Sequence, residues 1–155
     1  MNTTLTEIDL DLAARIEALD LSMIAEKLLD PEEGAGWAPE YTARVEVEYR
    51  RYLILTGMYP NEAIVPSKII DAFWHGHILD TQAYAPDCDR VFGFFLHHFP
   101  YFGMRGPEDA ANLGSAYDRT LELYASHFGP APEDLWVRTG AARCPNCGSR
   151  CKPKG

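Results

Sequence analysis

Apolar residues along this chain recur every three or four positions and almost never at alternating ones, the periodicity of helices buried on one face. Ile8, Leu12, Ile16 and Leu19 form the first stripe, and a Thr4–Glu7 capping-box pattern opens it. Asp20 or Ser22 caps a second, short helix through Leu29, which Asp30-Pro31 ends. A Gly-rich loop leads to Pro39, placed for the first turn of a third helix with Tyr41, Val45, Tyr49 and Tyr52 on its face and Gly57 as its stop. Beyond a loop or short extended stretch from Met58 to Pro66, Ser67 caps a fourth helix that runs to Ala83. Pro86 starts a fifth helix, and Pro100 ends it. A sixth helix carries Tyr117, Leu121, Tyr124 and Phe128 up to Gly129, and one turn around Leu135 and Trp136 follows. No stretch reads as a strand of a sheet. The expected fold is all-α: an irregular helical bundle with a central antiparallel hairpin, 67–83 against 86–99, burying Phe73, Trp74, Phe92 and Phe95.

Chemistry concentrates on that hairpin. Residues 71–103 hold four of the five histidines and half of the aromatic residues. Such a composition serves an apolar pocket with a few polar groups, and equally a Phe-rich core. At about 100° per residue, Ile70, Phe73, Trp74, His77 and Thr81 share one helix face, so His77 is either a hydrogen-bonded core residue or a ligand. His75 points about 200° away, and a regular helix cannot chelate one ion with this His-x-His pair. His75 instead stacks one turn from Asp71, whose carboxylate fixes its tautomer or shares a metal with it. Gly76 reads as a point of close approach by another element. If it breaks the helix, His77 takes the place of His75.

On the fifth helix, Cys88, Val91, Phe92, Phe95 and Phe99 share the buried face, His98 lies on the adjoining stripe with Asp87, and His97 lies opposite. Cys88 falls in the first turn, where the helix dipole favours thiolate; a buried inert thiol is the alternative. Antiparallel pairing sets Asp71 and His75 against the Phe95–His98 end, with Asp80 and Tyr84 beside Asp87 and Cys88. The expected hairpin site is Asp71, His75 and His98, with His77, Asp87, Cys88 and His97 as secondary candidates. Two imidazoles and one carboxylate suit a divalent metal, zinc first and iron second, and leave room for water or substrate.

Charge changes the picture at the C-terminal end. The net charge is −9, but residues 1–137 carry −14 and residues 138–155 carry +5. An acidic body repels phosphate backbones, which argues against nucleic acid as a partner and leaves a protein or a small molecule. No apolar run is long enough to span a bilayer and the first residues lack a secretion signal, so a cytoplasmic protein with reduced cysteines is expected. Residues 1–140 form the helical domain and 141–155 a basic, Cys-containing tail. Within the tail, Cys144-Pro145-Asn146-Cys147-Gly148 has the form of one half of a zinc ribbon. Cys151 supplies a third thiolate, and a fourth ligand would come from His127, another chain, water or a partner.

Tyr49-Arg50-Arg51-Tyr52-Leu53, Ile64-Val65-Pro66, Asp71-Ala72-Phe73-Trp74-His75-Gly76-His77 and Tyr84-Ala85-Pro86-Asp87-Cys88 follow one another in the chain. In order and spacing they resemble the glycine-rich domain-containing protein-like family of plants and bacteria, over residues 20–130. The resemblance implies a helical domain without established catalytic residues. Plant members join it to a glycine-rich region and sometimes to an RNA-binding module, and neither occurs in these 155 residues. Two functions are open: a metal-binding domain acting as a metalloenzyme on a small molecule or peptide, or a non-catalytic interaction module with structural histidines and a zinc-binding tail.

Overall fold

A computed structural model describes residues 5–137, and within them the chain forms six helices and no β-strand. They are α1 (Leu10–Glu17), α2 (Ser22–Leu29), α3 (Pro39–Met58), α4 (Lys68–Leu79), α5 (Thr81–Phe92) and α6 (Pro107–Phe128). The chain is all-α, as its periodicity requires.

The long helix α3 is the hub, packed against α1, α2, α4 and α6. Val45, Tyr49, Tyr52, Leu53 and Leu55 are all buried on it. Tyr49 meets Phe73 of α4 at 5.0 Å between ring centroids, and Tyr52 meets Trp74 at 5.3 Å. Polar side chains of α3 finish its neighbours. The Arg50 guanidinium donates to the carbonyl oxygens of Ile16, in the last turn of α1, and of Leu19, just beyond it. Glu48 is buried and accepts from Tyr124 Oη (2.7 Å), Trp136 Nε1 (2.9 Å) and Arg51 (3.2 Å). That carboxylate ties α3 to α6 and to the turn after it, at no cost in unpaired polar atoms.

Several expected boundaries move. The first helix starts later than the Thr4–Glu7 box implies: Asp9 caps it by accepting from Leu12 N at 3.0 Å. Thr6 N–H is instead committed to the Ser126 carbonyl at the end of α6 (2.6 Å), which holds the preceding segment out of helix. Gly57 lies inside α3 and does not stop it. A Cβ there would come within 2.7 Å of Leu12, so this glycine marks where α1 crosses α3.

The largest correction concerns the hairpin. Helix α4 ends at Leu79, Asp80 alone separates it from α5, and Pro86 lies inside α5. Helix α5 then stops at Phe92, because Gly93 adopts φ 76° and returns its N–H to the Asp89 carbonyl (3.0 Å), a left-handed C-terminal cap. Residues 93–106 are loop, with Phe94, Phe95, Phe99 and Tyr101 about half exposed. Phe95 therefore does not join Phe73 and Trp74 in the core. The apolar spacing from Cys88 to Phe99 suggested one face of a helix, and a single glycine cap overrides it. Within residues 5–137 no helix is long and apolar enough to cross a membrane.

These burials separate two phenylalanines by their energetic weight. Phe73→Ala, at a fully buried position, should cost about 3–5 kcal/mol. Phe95→Ala, 45% exposed and in edge contact with Tyr84, should cost only about 0.5–1.5 kcal/mol. Chemical denaturation of the two variants measures both, and equal losses would return Phe95 to the core.

Candidate metal centre

The site begins with the first turn of α4. Ser67 Oγ accepts from Ile70 N at 3.3 Å and sets the helix start, which places Asp71 in the first turn. There the positive end of the helix dipole favours a carboxylate. Asp71 is nonetheless only 1% exposed, so its charge needs a partner. His75 stands one turn later on the same face, with Nε2 3.2 Å from Asp71 Oδ2. His98 arrives from the loop after α5, with Nε2 2.9 Å from Asp71 Oδ1 and 3.0 Å from His75 Nε2. Asp71, His75 and His98 thus each offer one donor atom within 4.8 Å of the others, a group able to hold a metal ion.

Hydrogen bonding alone fits this cluster poorly. Each Nε2 carries at most one proton. A proton on His98 Nε2 aimed at Asp71 leaves the 3.0 Å nitrogen–nitrogen contact to be filled from His75. Two protonated nitrogens would then face each other. If His75 is the acceptor, Asp71 Oδ2 has no donor from it, and that buried oxygen indeed lacks a hydrogen bond. A cation takes lone pairs from all three groups at once. Metal–nitrogen and metal–oxygen distances of about 2.0–2.2 Å, with angles of roughly 90–110°, put neighbouring donors about 2.9–3.5 Å apart. The observed contacts of 2.9–3.2 Å lie within that range.

The secondary candidates separate into other roles. Gly76 does not break α4; a Cβ on it would come within 2.9 Å of Ile24 in α2, which is the close approach its sequence position suggested. His77 consequently turns inward and is buried. Its Nδ1 accepts from Tyr49 Oη and its Nε2 donates to Asp87 Oδ2, both at 2.8 Å. Burial lowers the pKa of this imidazole, against the pull of Asp87. Arg90 closes the chain on the other oxygen of Asp87. His77 and Asp87 are therefore a core pair. His97 packs edge-on to Phe95 and stays outside the cluster. His127, offered as a ligand for the tail, has both nitrogens engaged, with Tyr59 Oη (2.6 Å) and the Thr6 carbonyl (3.0 Å). Cys144, Cys147 and Cys151 lie outside the described residues.

Cys88 departs most from its expected chemistry. It falls in the later half of α5, so no N-terminal dipole acts on it, and burial raises its thiol pKa. Its sulfur lies against the Leu96 backbone N–H and the Tyr84 hydroxyl. Tyr84 Oη in turn accepts from Trp74 Nε1 (3.0 Å) and donates to the Leu96 carbonyl (2.5 Å). Sequence spacing set Tyr84 beside Cys88 but did not single out Leu96, because that contact depends on a loop whose path no local pattern fixes. Together they clamp the loop two residues before His98, whose ring lies 4.4 Å from that of Trp74.

A cavity of about 290 Å³ opens beside the cluster, with Asp71 and His98 in its wall among Tyr52, Trp74 and Phe99. His75 lines a second, wider depression between α2 and α4. The three donors stand in the partition between the two.

Two outcomes follow from the clamp. Tyr84→Phe leaves Trp74 Nε1 and the Leu96 carbonyl unpaired, which should cost about 1–3 kcal/mol and speed amide exchange across residues 94–98. Unchanged exchange there would remove the clamp. With its pKa raised, the Cys88 thiol has less thiolate at pH 7 than a free cysteine. It should resist iodoacetamide in the native protein and react once urea unfolds the chain, as peptide mapping would read.

Comparison with known proteins gives a family and little else. No curated protein and no solved structure matches the chain. The likeness to the glycine-rich domain-containing protein-like family is overturned, since the family match, over residues 18–119, is to a different one and spans every motif quoted for that likeness. An Asp and a His one turn apart face the same way on any helix, so such short motifs do not tell families apart. The chain belongs to the UCP032817-like family, whose match covers the greater part of its length and all of the His/Asp cluster.

Proposed function

We propose that this protein is a metal-binding helical domain that holds one divalent cation through Asp71, His75 and His98 and acts on a small molecule at that centre. One observation carries the reading: two imidazole nitrogens from two segments lie 3.0 Å apart and 2.9 and 3.2 Å from the two oxygens of a buried carboxylate, contacts that protons cannot all fill. Two imidazoles and one carboxylate leave coordination positions open. Zinc heads the expected order because such donors bind it more tightly than iron(II), the second candidate. A bound cation supplies Lewis-acid polarisation of an oxygen ligand. The residues of the chain hold its donors in place: Tyr84 fixes the His98 loop, and the regular turn of α4 sets His75 over Asp71.

The tail is a separate proposal. Cys144, Cys147 and Cys151 form a second, thiolate zinc site, its fourth ligand supplied from elsewhere than His127. A second reading, a non-catalytic interaction module, draws on the exposed Phe94, Phe95, Phe99 and Tyr101, which a protein partner could cover. It predicts no metal at the hairpin.

Metal content separates the two. Full-length protein with all three tail cysteines changed to Ser should take up one zinc per chain, measured by native mass spectrometry and competitive titration. His75→Ala, His98→Ala and Asp71→Asn should each weaken that uptake by about 10–100-fold or more, while His77→Gln and His97→Ala should leave one zinc bound. A folded parent without the tail cysteines that takes up neither zinc nor iron(II) sinks the metal reading and leaves the interaction module.

A further inference from the structure

The cavity beside the cluster has a composition that selects its occupant. One end is Asp71 and His98; the remaining wall is mostly apolar, with the rings of Tyr52, Trp74, Phe94 and Phe99 set among aliphatic residues such as Ile64 and Val65. Its volume of about 290 Å³ is at the small end of the roughly 300–1,000 Å³ of ligand sites, too small for a nucleotide or a folded peptide segment. The other acid in the wall, Glu62, is already paired with Arg119 by two contacts of 3.1 and 3.2 Å. A divalent cation on two neutral imidazoles and one carboxylate keeps one net positive charge. Beside a wall of low polarity that charge favours a single negative charge on the incoming ligand. Flat rings at the wall favour an apolar, planar body.

We infer that the cavity binds a compact hydrophobic monocarboxylate, its carboxylate toward the metal centre and its apolar body among Tyr52, Trp74 and Phe99. This rests on the metal reading and adds the ligand class to it. The carboxylate meets the residual positive charge at the Asp71–His98 end. The body replaces water over the aromatic wall, a gain that a ligand without one does not have. Phe99 belongs to the loop, is half exposed and ligates nothing, so it reports on the body without touching the head.

Benzoate serves as the probe, with acetate as the head alone and benzamide as the uncharged body. The protein is the full chain with Cys144, Cys147 and Cys151 changed to Ser, titrated with zinc first and then, zinc-loaded, with each probe by calorimetry. Benzoate should bind at least tenfold more tightly than acetate or benzamide, and removing zinc with a chelator should weaken it at least tenfold. Phe99→Ala should abolish the advantage over acetate while zinc affinity stays unchanged. Equal affinity for benzoate and acetate overturns the hydrophobic body. Equal affinity for benzoate and benzamide, or for zinc-loaded and zinc-free protein, overturns the metal-directed head. In all those cases the zinc titration stands. A chain that takes up no metal in the first titration overturns the metal centre and this ligand with it.

Discussion

A carboxylate at 1% exposure is the constraint from which the arrangement around α4 follows. Moving an ionised carboxyl out of water costs several kcal/mol unless charge or hydrogen bonds compensate for it. Asp71 draws on the N-terminal dipole of its own helix, on His75 one turn along, and on His98 from outside. Only the last of these is long-range, and it fixes the path of a whole segment. Residues 93–106 have no regular structure of their own; the Asp71–His98 contact, the Trp74 ring beneath His98 and the Tyr84 clamp on Leu96 hold the first part, and Asp109 holds Gly103 and Arg105. The aromatic cavity exists because this loop is held over the end of α3.

Helix geometry divides the labour between two histidines that are neighbours in sequence. His75 and His77 differ by two residues, hence by about 200° around the axis, and they meet opposite environments. His77 is neutral, held between the Tyr49 hydroxyl and Asp87, and its lowered pKa suits a group that must stay uncharged in the core. His75 is partly exposed and turned to Asp71. Had Gly76 unwound the helix, the two could have met one ion together. Close contact with Ile24 shows why a glycine is there instead: α2 and α4 approach too nearly for a side chain.

How much of this the chain announces depends on the range over which each feature is decided. Ser67 as a cap, Pro39 in a first turn and the Asp71–His75 pair are settled within four residues, and the structure has them where spacing puts them. Helix α5 is different. Its apolar stripe continues past Phe92, and the same residues fit a helix to Phe99 by periodicity alone. The left-handed cap at Gly93 and the clamp from Tyr84 to Leu96 decide otherwise, and the second is a tertiary contact. His98 still reaches Asp71, but by a loop and not along a paired helix. The aromatic residues that helical spacing sends to the core end at the surface beside the cavity. The dipole argument for Cys88 failed at the other end of the helix, since it needed α5 to start at Pro86 and α5 starts at Thr81.

That loop placement bears on how the centre would work. Here two donors share the first turns of α4, while the third comes from a loop held at Leu96 and by its own contact with Asp71. Such a centre is preorganised on one side and adjustable on the other. Movement of His98 would also move Phe99 and Phe94, which belong to the same segment and to the cavity wall. In the proposed centre, the third donor and part of the cavity wall would thus belong to one short stretch of chain. A structural histidine pair would need no such cavity. A centre that exchanged ligands would draw on both an open wall and the loop-borne His98, which in the proposed reading come from the same loop.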